Sequence, residues 1–244
     1  MLIDPHSLET NLGRIEEIEK ASMRLVVHAI YDFRETAAQI FASEIDKAQD
    51  KAEDITREAL DVMGVSRIPT RLFGKIDYKR SRYVFHPDYA LKQALLVDSK
   101  AEKGADVARI QLAQTSMRIM LRSGDRVTNE QGTLPAILTA GGEQFLTTTI
   151  FVKYDYKDVT EERHELRNIV IAALPSGLLQ PRYNPNAEET IWNVGPHSPA
   201  RGEDFRVRLS FAKLRQKARW RIQTIPPAPA AFTWEDVVIH PATP

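Results

Sequence analysis

The sequence predicts a single α/β or α+β domain, and three observations predict it. Apolar residues recur at helical spacing as far as Met63. From Phe73 onward the period changes to that of β-strands, rich in β-branched and aromatic residues. Helical patches then recur among the strands, with no internal repeat and no linker that would divide the chain. With 244 residues and a hydrophobic fraction of 43%, the chain can bury a sizeable core.

Leu8, Leu12, Ile15, Ile18, Ser22, Val26, Ile30, Phe33, Ala37 and Ile40 share one helical face. They predict a long amphipathic helix over 8–44, with room for one break and Ser7 as its N-cap. A second helix is expected over 48–63, with Ile55, Ala59 and Val62 on one side and Gly64 as terminator, and Pro69 closes the helical region. "FGKIDYKRSRYVFHP" reads as a hairpin or bent strand, and "QALLVDSKAE" as a buried central strand. Residues 106–118, "DVARIQLAQTSMR", return to helical character. Strands follow over 146–156 and 166–174, then the loop "PSGLLQPRYNPN", whose prolines and asparagines turn chemistry explains. "FRVRLSFAKL" alternates like a half-exposed strand and leads into a basic helix ending near Ile225. The proline-rich remainder, 226–244, is expected to lie extended along the surface.

Composition removes several chemistries. With no cysteine there are no disulfides, zinc–thiolate sites or thiol nucleophiles, and a reducing cytoplasm is the natural compartment. His28, His86, His164, His197 and His240 form no i, i+4 pair, which argues against a histidine metal site. No apolar run reaches the roughly 18 to 20 residues of a membrane span, and the N-terminus carries no export pattern. Lysine plus arginine balances aspartate plus glutamate at 33 each, so bulk charge does not attract nucleic acid. The distribution is uneven, however. Eight basic residues against two acidic ones lie between Arg201 and Arg221, whereas the first 65 residues are acid-rich.

The chemistry centres on the end of the buried strand, "LLVDSKAEK". Strand side chains alternate faces, so Asp98 and Lys100 point the same way, and Glu102 joins them if the strand continues. Such a pair is either a simple ion pair, contributing little, or half of a metal-dependent hydrolytic site. In the second reading Asp98 binds a hard divalent cation, which prefers oxygen ligands, and Lys100 orients or deprotonates water or offsets charge on phosphorus. One carboxylate holds magnesium weakly, so a second is needed. Asp77, 21 residues upstream in "GKIDYKR", is the candidate.

"IDYKR…LLVDSKA" resembles the PD-(D/E)xK nuclease signature, and its context resembles the SfiI-type restriction endonucleases in particular. The similar stretches "AEDITREAL", "GKIDYKR", "LLVDSKA", "TTTIFVKYDY", "LPSGLLQPRYNPN" and "HSPARGEDFRVRLSF" span most of the chain in one order. The resemblance implies one endonuclease domain over 1–244, built as a mixed β-sheet flanked by helices with a long helical N-terminal part. It implies a type II restriction endonuclease of a prokaryotic cytoplasm that uses Mg2+ to hydrolyse double-stranded DNA at an interrupted, GC-rich palindrome. A homodimer or homotetramer is the implied assembly, and the generous apolar stripe of the N-terminal helices is a candidate interface. Carried over by motif, Asp77 and Asp98 are the metal-binding carboxylates and Lys100 the catalytic lysine. Ile76 stands where the signature has proline, a variable position.

Other residues admit two readings each. Glu53, ahead of Asp54, is either a further metal ligand from an early helix or part of an acidic pair favoured by the helix dipole. Lys103 and Arg109 either contact DNA or belong to a solvated face. Arg201, with Arg206 and Arg208 at strand spacing, could read bases or hold phosphates, and the resemblance favours DNA over a solvated face. Two competing functions use the same residues: a repair or recombination nuclease without sequence preference, and a DNA-binding module in which Asp77, Asp98 and Lys100 only pair.

Overall fold

The computed structural model describes residues 2–64, 81–86, 90–104, 106–161, 163–193 and 206–236. Three helices come first: α1 (Leu12–Asp32), α2 (Arg34–Ser43) and α3 (Ala48–Val62). The expected helix over 8–44 is interrupted twice, at Asn11 after a 3-10 turn and at Phe33. Ser7 is not the N-cap. It lies inside a 3-10 turn, Pro5–Thr10, that Asp4 caps, and its hydroxyl donates back to the Asp4 carbonyl. Asn11 opens α1 instead, its side chain accepting from Arg14 N–H. Gly64 ends α3 with a positive φ of 71°, a conformation glycine adopts without strain. Val62 departs from the expected buried stripe. It lies in the last turn and is 79% exposed, while Ile55 and Ala59 are buried.

The main sheet runs β1-β2-β7-β8-β11, with β6 (Ile137–Ala140) pairing the start of β7. Its strands are β1 (Ser81–His86), β2 (Leu91–Ala101), β7 (Glu143–Asp158), β8 (His164–Leu174) and β11 (Ile222–Ile225). β2 and β7 are parallel and the other pairings antiparallel, so the sheet is mixed. Tyr154 faces the helices: its ring stacks on Phe41 at 5.6 Å and its hydroxyl meets Thr56 Oγ1 at 2.9 Å. The opposite face, one residue out of phase, carries Phe151 and Lys153 toward a second sheet. That sheet is β3-β10-β9, formed by Val107–Gln111, Arg206–Ser210 and Trp192–Asn193.

Two expected helices give way to strands. Over 107–111, Ala108 and Ile110 are buried while Arg109 is exposed, a period of two that pairs with β10. A 3-10 turn, Leu112–Gln114, completes the segment. The basic helix also ends early. α5 spans Phe211–Lys217, a 3-10 turn covers Arg219–Arg221, and Ile222–Ile225 pairs with β8. A hairpin of β4 (Arg118–Ser123) and β5 (Arg126–Gln131), with Ile119 and Leu121 buried, fills a stretch whose sequence announced nothing. A short α4, Gln180–Tyr183, interrupts the proline-bearing loop.

The apolar stripe of α1 is consumed by the chain's own core: Ile15, Ile18, Met23, Val26, Val27 and Ile30 are all buried against it. Residues 226–236 form no helix or strand, turn at 228–230 where Ala230 N–H donates to the Pro227 carbonyl, and are tied down. Phe232 lies 5.7 Å from the Tyr31 ring, and the Gln223 side chain exchanges two hydrogen bonds with the Glu235 backbone. Residues 237–244 lie outside the described residues. No helix among the described residues is long and apolar enough to cross a membrane.

Candidate active site

β2 is buried from Ala94 through Ser99, and the strand emerges at its C-terminal end. Asp98 is buried and Lys100 half-buried, on the face shared with Phe151 and Lys153 of β7. Lys100 Nζ lies 2.8 Å from Asp98 Oδ2, which also accepts from Gln114 Nε2 at 3.0 Å. The ammonium sits 5.9 Å from the centre of the Phe151 ring. One carboxylate oxygen therefore serves two donors, and burial strengthens both contacts.

Glu102 continues the alternation at the strand end. It stands 3.9 Å from Arg109 Nε and 3.5 Å from Lys153 Nζ. Lys153 is fully buried and also donates to the Val107 carbonyl. Burial pulls its ammonium below the ordinary lysine range, and Glu102 opposes that pull.

A cleft of about 330 Å3 opens where α3, the end of β2 and β3 meet. Glu53, Lys100, Glu102 and Arg109 line it, together with Gln49 and Gln111. Glu53 thus belongs to the same cavity as the strand-end lysine, whereas Asp54 points elsewhere and pairs with Arg57 at 2.5 Å. Asp77 lies outside the described residues; β1 begins at Ser81, opposite Leu96. Among the described residues no three acidic or histidine side chains form a metal-binding group.

The candidate DNA contacts divide. Arg109 and Arg208 face each other directly across the β3–β10 pair, with Asn193 beyond on β9. Like charges opposite one another on a sheet are unfavourable in isolation. Lys103 is exposed and paired with Asp158 at 2.5 Å, which raises its ammonium above the ordinary range. Arg206 sits on β10 opposite Gln111, while its side chain and Arg201 lie outside the described residues. The loop residues Arg182, Tyr183 and Asn184 serve the interior: Arg182 and Tyr183 bond Glu16, and Asn184 brackets the Met120 backbone.

Three contributors escaped the sequence reading. Lys153 could have been seen as a lone charge within "TTTIFVKYDY". Gln49 and Gln114 carry no such signal, since glutamines at helix and turn positions are ordinary.

The family model described as "Type II restriction enzyme SfiI" matches residues 4–225. The chain belongs to the SfiI family of type II restriction enzymes. The SfiI enzyme of Streptomyces fimbriatus is 36% identical over 231 residues, covering 89% of this chain and 86% of the relative. The crystal structure of tetrameric SfiI bound to cognate DNA superposes with a TM-score of 0.83 at 31% identity, covering 97% of this chain and 94% of that one. The endonuclease BglI bound to its DNA recognition sequence shares the fold, with a TM-score of 0.73 at 14% identity, covering 91% of this chain and 94% of that one. A site at a strand end, entered beside a helix, is thus set in a SfiI-type scaffold.

Proposed function

We propose that this restriction enzyme hydrolyses both strands of DNA at an interrupted, GC-rich palindrome, using Mg2+, in a prokaryotic cytoplasm. The observation that carries the reading is the Asp98–Lys100 pair, 2.8 Å apart on one face of β2 beside the cleft that Glu53 lines. A surface ion pair needs no cavity; a hydrolytic pair needs room for a phosphodiester.

Glu53, which lines the cleft, and Asp98, on the β2 face of the cleft residue Lys100, offer the carboxylate oxygens that a hard divalent cation takes, and the chain has no cysteine. Asp98 and Asp77 would hold it, with Glu53 as a further ligand, directly or through water. Bound there, the cation would supply positive charge beside the scissile phosphate and the departing oxygen. The chain's own groups do the rest. Lys100 directs an N–H toward the attacking water or a non-bridging oxygen, while Asp98 and the Phe151 ring fix where that N–H points. Water adds to phosphorus and gives up a proton to solvent, the bond to the 3′ oxygen breaks, and that oxygen takes a proton from solvent and leaves as a hydroxyl, the phosphate staying on the 5′ side.

Arg109 and Arg208, side by side on the outer sheet, are the contacts proposed to engage DNA, with Lys103, Arg201 and Arg206. A phosphate backbone would relieve the repulsion between the two facing arginines. Two strands cut at a palindrome require two such sites, and the solved SfiI relative is a tetramer on DNA. A homodimer or homotetramer is the assembly this supports.

Asp98→Ala and Lys100→Ala tested on sequenced DNA with Mg2+ decide the reading. Both variants are expected to fold by circular dichroism and to give no cleavage, while the unaltered protein yields discrete bands. Cleavage at the original rate by either variant would overturn it.

A further inference from the structure

We infer that Gln49 is a positioning residue for Lys100, holding the β2 backbone on either side of it. This rests on the reading of Lys100 given above. β7 pairs with one side of β2 as far as Ala101. On the β7 side the ladder extends one residue further, Glu102 N–H donating to the Tyr154 carbonyl. On the opposite side the backbone of Ser99 and Ala101 meets the Gln49 side chain. Its Nε2 donates to the Ser99 carbonyl at 2.9 Å, and its Oε1 accepts from Ala101 N–H at 3.0 Å.

A carboxamide has the donor and acceptor of a peptide group, held in one plane. Gln49 therefore offers β2 what a neighbouring strand would offer, one N–H and one C=O, at the two residues that flank Lys100. Unpaired strand backbone is mobile and costly to leave half-satisfied. Clamping both sides of Lys100 fixes the direction of its Cα–Cβ bond, and with it the arc that Nζ can reach. The same Nε2 also donates to Glu53 Oε1 at 2.9 Å. One side chain thus sets the spacing between the lysine-bearing strand and the helix that brings Glu53 to the cleft. Misplacement of a reacting group by about 1 Å can cost on the order of 100-fold in rate.

The test compares Gln49→Met and Gln49→Asn with the unaltered protein and with Lys100→Ala. Gln49→Met keeps the length without the polar pair, and Gln49→Asn keeps the amide one methylene short. Steady-state cleavage of a cognate duplex is expected to show kcat lowered about 10- to 100-fold in both variants. KM, and DNA binding measured without divalent cation, should stay within about twofold, which also reports that the variants fold. A merely structural role would move the thermal midpoint and leave kcat alone. Unchanged kcat in Gln49→Met beside an inactive Lys100→Ala would overturn the role of Gln49 and leave the site intact. Full activity in Lys100→Ala would overturn the site itself, and the two failures are thereby distinct.

Discussion

Arg221 Nη2 and Glu19 Oε2 meet at 2.6 Å with both side chains buried, joining the C-terminal part of the chain to α1. Glu19 accepts in addition from Ser176 N–H at 2.8 Å, and the guanidinium lies over the rings of Tyr183 and Trp220, 4.4 Å from each centre. The pair spans 202 residues of sequence and locks α1 and the end of β8 to the 3-10 turn before β11.

Breaking that pair from one side strips a buried charge of its close partner, leaving Arg221 with the more distant Glu16 at 3.8 Å. Glu19→Gln and Arg221→Met are each expected to destabilise the fold by about 3–5 kcal/mol. The double variant Glu19→Met/Arg221→Met should recover much of that loss, because the pair's own charges are both gone and Glu16 keeps Arg182 at 2.5 Å. Urea denaturation of the three variants checks the expectation. Additive losses in the double variant would contradict it.

Lys153 makes stability depend on pH. Burial lowers its ammonium pKa below the ordinary 10.5, so over the window beneath that value the unfolded chain binds more protons than the folded one. Stability from this group therefore rises with pH through the window and is lower on its acidic side. Relative to Lys153→Met, the unaltered protein should gain stability as pH rises toward the ordinary lysine value of 10.5. Chemical denaturation at several pH values measures the difference. A gap that stays constant or closes would refute it.

If Lys103 meets a phosphate as proposed, Asp158 competes with DNA for its charge. Asp158→Asn releases the ammonium and should tighten DNA binding at low salt about two- to fivefold. The gain should vanish in a Lys103→Ala background, where the slope of log affinity against log salt falls by about one. Titrations at three salt concentrations separate this outcome from a Lys103 that never meets a phosphate.

Where an element's pattern was set by its own neighbours in sequence, the sequence disclosed it. The helical stripe of α1 and α3, the apolar run of β2 and the β-branched run of β7 each carry their burial in their own spacing. β3 did not, because its strand state depends on β10, which follows about 100 residues later. With Ala, Ile and Leu in place, "DVARIQLAQ" satisfies a helical period as well as a strand period. The extended basic helix failed for a related reason, since pairing with β8 claimed Ile222–Ile225.

The site was legible in the same measure. Asp98 and Lys100 share a face by alternation alone, and Glu53 lines the same cleft as Lys100. Gln49 and Gln114 were not legible, because an amide's role is decided by the backbone or carboxylate that folding places against it. The Arg109–Arg208 juxtaposition was equally hidden, since register across two distant strands sets it.

The parallel pairing of β2 with β7 has a consequence for biosynthesis. A ribosome releases Asp98 and Lys100 well before the strand that walls them in, and non-local parallel pairing is slow to form. Nascent or prematurely terminated polypeptides that stop short of residue 143 hold the proposed catalytic pair without its scaffold. Such fragments should be unable to nick a chromosome, so the hazardous activity switches on only after most of the polypeptide has been made.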